Sequence, residues 1–171
     1  MTYLLKCAKY LTLAALIGGC QSANRASGPV DKPPIFYEDI NWVSLMVQLP
    51  LVDEDGDKQP DGISVRVMLL RPNEPKFVAG KGTMIFHLMR REKLPDGTLD
   101  DKEIYKWTLV PDDFVKSVVR QGFGIVCHQM VLYWKNLHPH GTGIYLRAEF
   151  IRTDQKVLQS RIVPISVSVA D

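Results

Sequence analysis

Apolar side chains recur at every second position through most of this chain, and that spacing puts a row of them on one face of an extended strand instead of on a helix. Val43, Leu45, Val47, Leu49 and Leu51 form the first row and predict a strand over Asn41 to Leu51. Ile63, Val65, Val67 and Leu69 form a second between Gly62 and Leu70, with Ser64 and Arg66 on the opposite face. Met84, Phe86 and Leu88 alternate with Ile85, His87 and Met89 from Thr83 to Arg90. Pro95-Asp96-Gly97-Thr98 then supplies type I turn residues, and strand character resumes over Ile104 to Val110. Ile125 to Trp134 is apolar on both faces, as a central strand requires. Ile144, Leu146, Ala148 and Phe150 make the next row, and after Thr153-Asp154-Gln155-Lys156 a last one runs from Val157 to Val169 as its hairpin partner. Pro164 cannot donate to a ladder, which places that last strand at an edge or a bulge.

One segment departs from the pattern. Pro111-Asp112-Asp113 leads into Phe114, Val115, Val118 and Val119 at helical spacing, and Gly122 closes it, so a short helix is expected over 111–121. Seven strands with many turn residues and one small helix call for two packed antiparallel sheets, since a parallel sheet needs several crossover helices. The expected fold is an all-β antiparallel β-sandwich over residues 35–171, immunoglobulin-like or transthyretin-like. Phe86, Trp107, Trp134, Tyr145 and Phe150 should fill or border the layer between the sheets, although the Cys-Trp-Cys spacing of antibody domains is absent.

The amino terminus has a different grammar. Lys6 and Lys9 precede an apolar stretch from Tyr10 to Ile17, followed by Gly18-Gly19-Cys20. That is the order of a cleaved secretory signal over residues 1–19. A spanning helix needs about 20 apolar residues, more than the interval between Lys9 and Cys20 provides. Leu16-Ile17-Gly18-Gly19-Cys20 resembles the bacterial lipobox, with Ile17 where leucine is commonest and Gly18 where alanine or serine is usual. The resemblance implies that Cys20 is acylated on its sulfur and its amine. It also implies outer-membrane sorting, facing the periplasm, because Gln21 replaces the aspartate that retains such proteins at the inner membrane. One acyl chain binds a bilayer only marginally, whereas several hold. Residues 20–34, polar and ending in a Pro-Pro pair, read as a flexible tether.

The roughly 150 residues left of 171 after cleavage suit one domain. Loss of Lys6 and Lys9 brings the formal charge from +2 to zero, so no electrostatic case exists for nucleic acid. With Cys7 removed and Cys20 acylated, Cys127 has no intramolecular disulfide partner, and its run Ile125-Val126-Cys127 marks it as a small buried hydrophobe.

Candidate chemistry concentrates between the first two strands, in Asp53-Glu54-Asp55-Gly56-Asp57-Lys58-Gln59-Pro60-Asp61-Gly62. Calcium takes six to eight oxygen donors, and Asp53, Asp55, Asp57 and Asp61 offer them at alternating positions. The run resembles the aspartate loops of thrombospondin type 3 repeats and, less closely, EF-hands, which implies a calcium site. Lys58 stands where those loops carry a glycine, and Ser64 stands at the twelfth position counted from Asp53 in place of a bidentate carboxylate. The competing reading is a solvated acidic connection. His138-Pro139-His140 supplies only two imidazoles, too few for zinc. Gly80-Lys81-Gly82-Thr83 is too short for a phosphate loop and leads into a strand, and Asp100, Asp101 and Glu103 read as a solvated charge cluster in a turn with Lys102. Nucleophile, base and orienting group are not found together, so the chain is not expected to be an enzyme.

Asp61-Gly62-Ile63, Gly82-Thr83, Trp107, Trp134, Tyr145-Leu146-Arg147 and the segment from Asp154 to Ser160 resemble small exported β-sandwich lipoproteins of unassigned function, over residues 61–170. The expected role is a lipid-anchored structural or protein-interaction module of the cell envelope, with an envelope protein as partner. The alternative is a module binding calcium or carbohydrate through the acidic loop or an aromatic such as Tyr133 or Trp134.

Overall fold

A computed structural model describes residues 34–134, 139 and 141–167. The expected signal peptide, Cys20, the tether as far as 33, and both His138 and His140 lie outside the described residues. Among those described, the strands are β1 (Phe36–Tyr37), β2 (Trp42–Val52), β3 (Gly62–Leu70), β4 (Ala79–Gly80), β5 (Thr83–Lys93), β6 (Leu99–Leu109), β7 (Val118–Arg120), β8 (Val126–Tyr133), β9 (Gly141–Ile151), β10 (Val157–Gln159) and β11 (Val163–Val167), with one helix, α1 (Pro111–Lys116).

The strands form two antiparallel sheets, one in the order β2-β3-β8-β7 and the other β10-β9-β5-β6, with β11 following β10 along the same edge of β9. Lettered in chain order, the first sheet has the strand order ABED and the second the order GFC found in immunoglobulin sandwiches, with β6 added beside C. β1 and β4 make a separate two-residue parallel clip. The alternating rows face each other as their periodicity requires. Val43, Leu45, Ile63, Val65, Val67, Leu69 and Leu132 of the first sheet meet Met84, Phe86, Leu88, Ile144, Leu146, Ala148 and Phe150 of the second. Each large apolar side chain so buried stabilises the fold by about 1.5–3 kcal/mol.

Four expectations change. The helix stops at Lys116 instead of continuing to 121, because the Ser117 hydroxyl donates to Phe114 O (2.6 Å) and Gln129 N donates to Ser117 O (2.8 Å), turning the chain into a ladder. The β-branched Val118 and Val119 then pair with His128 and Cys127 as β7. The last expected strand is two, since the buried Ser160 interposes its hydroxyl, which accepts from Ala148 N at 2.9 Å. Pro164 lies on the edge strand β11, next to a register shift. β6 starts at Leu99, so Asp100, Asp101 and Glu103 belong to a strand and not to a turn. Tyr145 is buried on the outer face of its sheet, opposite in parity to Ile144 and Leu146, and its ring carries the Arg91 guanidinium 5.3 Å from the centroid.

α1 carries Phe114 fully buried. Pro111 opens the helix and Asp112 and Asp113 occupy its first turn, where the backbone lacks intrahelical acceptors for its N–H groups. Phe114 stacks on His128 at 3.8 Å between centroids and 7° between planes. His128 Nδ1 lies 3.1 Å from both Phe114 O and Ser117 Oγ, and Gly80 N donates to Nε2 at 3.3 Å. A carbonyl can only accept, so Nδ1 carries the proton and the ring is neutral. β4 must pass close for this contact: a Cβ on Gly80 would fall 2.5 Å from Leu69 Cδ1.

Burial pushes the His128 pKa down from 6.5 to about 4, against the opposing pull of Phe114 O. The unfolded chain therefore takes up this proton at a higher pH than the folded chain does. The contribution of His128 is fully present above pH 6.5, lost between 6.5 and 4, and constant below. The whole loss is about 3 kcal/mol. Urea midpoints measured from pH 7 to pH 4 should fall in the wild type, and His128→Gln, less stable throughout, should show a flatter profile in that window.

Candidate functional site

The acidic connection leaves β2 at Val52 and rejoins the sheet at Gly62. Its carboxylates fold the loop on itself. Asp53 accepts from Gly56 N (2.8 Å) and Lys58 N (3.1 Å), Asp55 from Asp57 N (3.1 Å), Asp57 from Gln59 N (2.7 Å) and Asp61 from Glu54 N (2.7 Å). The end of β8 holds the loop from outside: Tyr133 donates its hydroxyl to Glu54 (2.5 Å) and Trp134 Nε1 donates to Pro60 O (2.6 Å). Hydrogen bonding to that carboxylate raises the Tyr133 pKa.

Of the four aspartates singled out in the sequence, Asp53, Asp55 and Asp61 bring one oxygen each within 4.8 Å of one another, while Asp57 stands outside the group. Lys58, in the place of the usual glycine, adopts a left-handed φ of 68°, so the sharp turn forms without one. Each of the three converging carboxylates bonds loop amides and retains lone pairs, a donor set chemically suited to a hard divalent cation but short of six oxygens without main-chain carbonyls or water.

A second cluster was not singled out by the sequence. On the outer face of the β9-β5-β6 sheet the nearly buried His87 lies between two glutamates. Its Nδ1 meets Glu103, and its Nε2 lies 3.3 Å from Glu149 Oε2 without hydrogen-bond alignment. Arg147 Nη2 approaches the other Glu149 oxygen at 3.5 Å. Strand alternation already turns His87 and Glu149 away from Phe86 and Phe150. Glu103 is different, since counting back from Trp107 and Tyr105 would face it inward. A bulge opposite Leu88 and Met89 inserts one residue into β6 and pairs Glu103 with Met89 on the outer face. Further along the same face Arg91 forms a two-pronged bond to Asp101 (2.7 and 3.0 Å), which holds the Asp101 pKa down to about 2. These pairs run crosswise over three strands and make a polar, ordered surface.

The remaining candidates are structural where they are described. Cys127 is 1% exposed on the outer side of its sheet, and burial raises its thiol pKa. Trp107 stacks obliquely on Tyr105 (4.7 Å, 56°) and donates Nε1 to Tyr133 O at 2.7 Å, tying the β6 edge to the opposite sheet. Gly80-Lys81-Gly82 links β4 to β5 and heads no helix.

In comparisons with known proteins, no family model, curated protein or solved structure matches this chain. The likeness to immunoglobulin sandwiches rests on strand order alone, and strand order names no activity.

Replacing His87 with Leu removes its ring's hydrogen bond to Glu103 and leaves the Glu149 carboxylate, 17% exposed, beside an apolar side chain. A loss of about 1–3 kcal/mol is expected. Denaturant unfolding of His87→Leu beside His87→Leu/Glu149→Leu checks it, since the double variant should recover part of that loss.

Proposed function

We propose that the protein is a lipid-anchored component of the cell envelope that acts through the surface of its sandwich domain, as a structural or protein-interaction module with an envelope protein as partner and without catalytic activity. The observation that carries this reading is the run ending in Cys20, placed ahead of a domain whose core begins at Ile40, with Tyr37 packed against it. Cleavage before Cys20 would remove none of these core side chains. Gln21 supports outer-membrane sorting with the domain in the periplasm. The ordered polar face built by His87, Glu103, Glu149, Arg91 and Asp101 supports recognition, because its side chains are already fixed and would lose little freedom when a partner docks.

Convergence of Asp53, Asp55 and Asp61 favours a second reading, in which the same anchored domain binds calcium.

Cys20→Ser should move the protein from the membrane pellet to the soluble envelope fraction after cell breakage, and a variant that still pellets overturns the anchor. For the second reading, calcium at a hundredfold excess over its dissociation constant adds about 2.7 kcal/mol of stability. Melting should therefore rise by several degrees in millimolar calcium, and Asp53→Asn/Asp61→Asn should abolish the rise. An unchanged melting temperature in the wild type disposes of the metal.

A further inference from the structure

The hairpin joining β7 to β8 ends in a phenylalanine that no described residue covers. Phe123 is 106% exposed, and Ile125 beside it is 40% exposed. Its backbone is left-handed, φ 62°, a conformation that a bulky side chain adopts only when its surroundings impose it. Gly122 and Gly124 flank it, and the tip closes through Gln121 N to Ile125 O (2.8 Å) and Gly124 N to Gln121 O (3.1 Å). A polar residue would serve such a turn better, so the fold spends strain on holding an aromatic ring outward.

The register places the tip at one end of the sandwich. β7 and β8 pair Val118 with His128 and Arg120 with Val126, so the tip projects from the end of the sandwich where His128 receives Gly80 N. β1 pairs with Ala79 and Gly80 at that same end, and the chain arrives there through Ile35, itself 72% exposed. Val110, ahead of α1, and Val157, beginning β10, add exposed apolar side chains to this end. Fourteen residues separate Cys20 from Ile35.

We infer that Phe123, with Ile125 beside it, inserts into the lipid surface that holds Cys20, so that the domain rests on the bilayer by its tethered end instead of hanging free. This rests on the anchored reading above. Tethering raises the local lipid concentration, so a contact too weak to recruit a free domain is occupied once the anchor is in place.

Gly122 gives a clean probe position, since a Cβ there meets nothing within 4 Å and its φ is not left-handed. With Cys20 acylated and Cys127 buried, Gly122→Cys is the reactive thiol for an environment-sensitive dye. The acylated protein, so labelled, is floated on vesicles of phosphatidylethanolamine and phosphatidylglycerol. Emission should rise severalfold over the Cys20→Ser form in solution, be quenched by spin-labelled lipid, and return to the solution value when Phe123→Ser is added. Flotation without the rise, or a rise that Phe123→Ser leaves intact, overturns the insertion and spares the anchor. A rise seen only with native envelope vesicles overturns it in favour of a protein pocket. Failure to float removes the anchor and the inference together.

Discussion

One neutral imidazole joins three segments: β4, α1 with the turn that follows it, and β8. His128 belongs to the inner row of β8, yet its partners are Gly80 N of β4, Phe114 O of α1 and the Ser117 hydroxyl that turns α1 into β7. A purely apolar side chain at this position would bury equally well and leave the Gly80 N–H without its acceptor. Protonation would break the same arrangement from the other side, since Nε2 could no longer accept. The short helix, too short to persist alone, is held by the ring stacked on Phe114 and by the contact of Phe114 with Phe150 at 5.8 Å. The end of the sandwich closed by α1 therefore depends on a side chain that is polar because it must satisfy backbone, and neutral because it is buried.

Periodicity made much of this fold legible. The rows Ile63 to Leu69, Met84 to Leu88 and Ile144 to Phe150 fall in the strands they predict, because alternation records which face is buried. Sequence and structure part where alternation and another preference coincide. Val118 and Val119 follow Phe114 at helical spacing and also suit a strand, and only the bond from Gln129 N to Ser117 O, a tertiary contact, decides between them. Trp107 borders the core as its sequence context predicts, but its bond to Tyr133 O depends on how one sheet is rotated over the other. No local pattern carries that rotation.

The two candidate clusters differ in legibility for a physical reason. An acidic loop is contiguous, so its composition can be read directly, and the aspartates that converge are three of the four chosen. The His87 cluster is assembled from three strands, two of which meet in a register set by a one-residue bulge. Without that bulge, Glu103 would point into the core and His87 would face Glu149 alone. A single inserted residue thus changes the chemistry of an entire face, and it leaves no mark in composition or spacing.

The two ends of the sandwich are chemically unlike, and this bears on how an anchored domain would be oriented. Phe123, Ile35 and the α1 closure occupy one end, while the Asp53–Asp61 loop and the β5–β6 turn at Leu94–Thr98 occupy the other. Strands of nine to eleven residues separate them, a distance of about 30 Å at roughly 3.3 Å per residue. A domain resting on lipid by its Phe123 end would hold the acidic loop several screening lengths, each about 8 Å, from anionic headgroups. Repulsion between the loop and the bilayer would then be negligible, and its carboxylates would face the aqueous compartment. The reverse orientation would press the five acidic side chains of the loop against phosphates and lift the exposed phenylalanine into water, whereas at the α1 end Asp39, Asp113 and Asp154 are each paired with a cation, Arg71, Lys116 and Arg152.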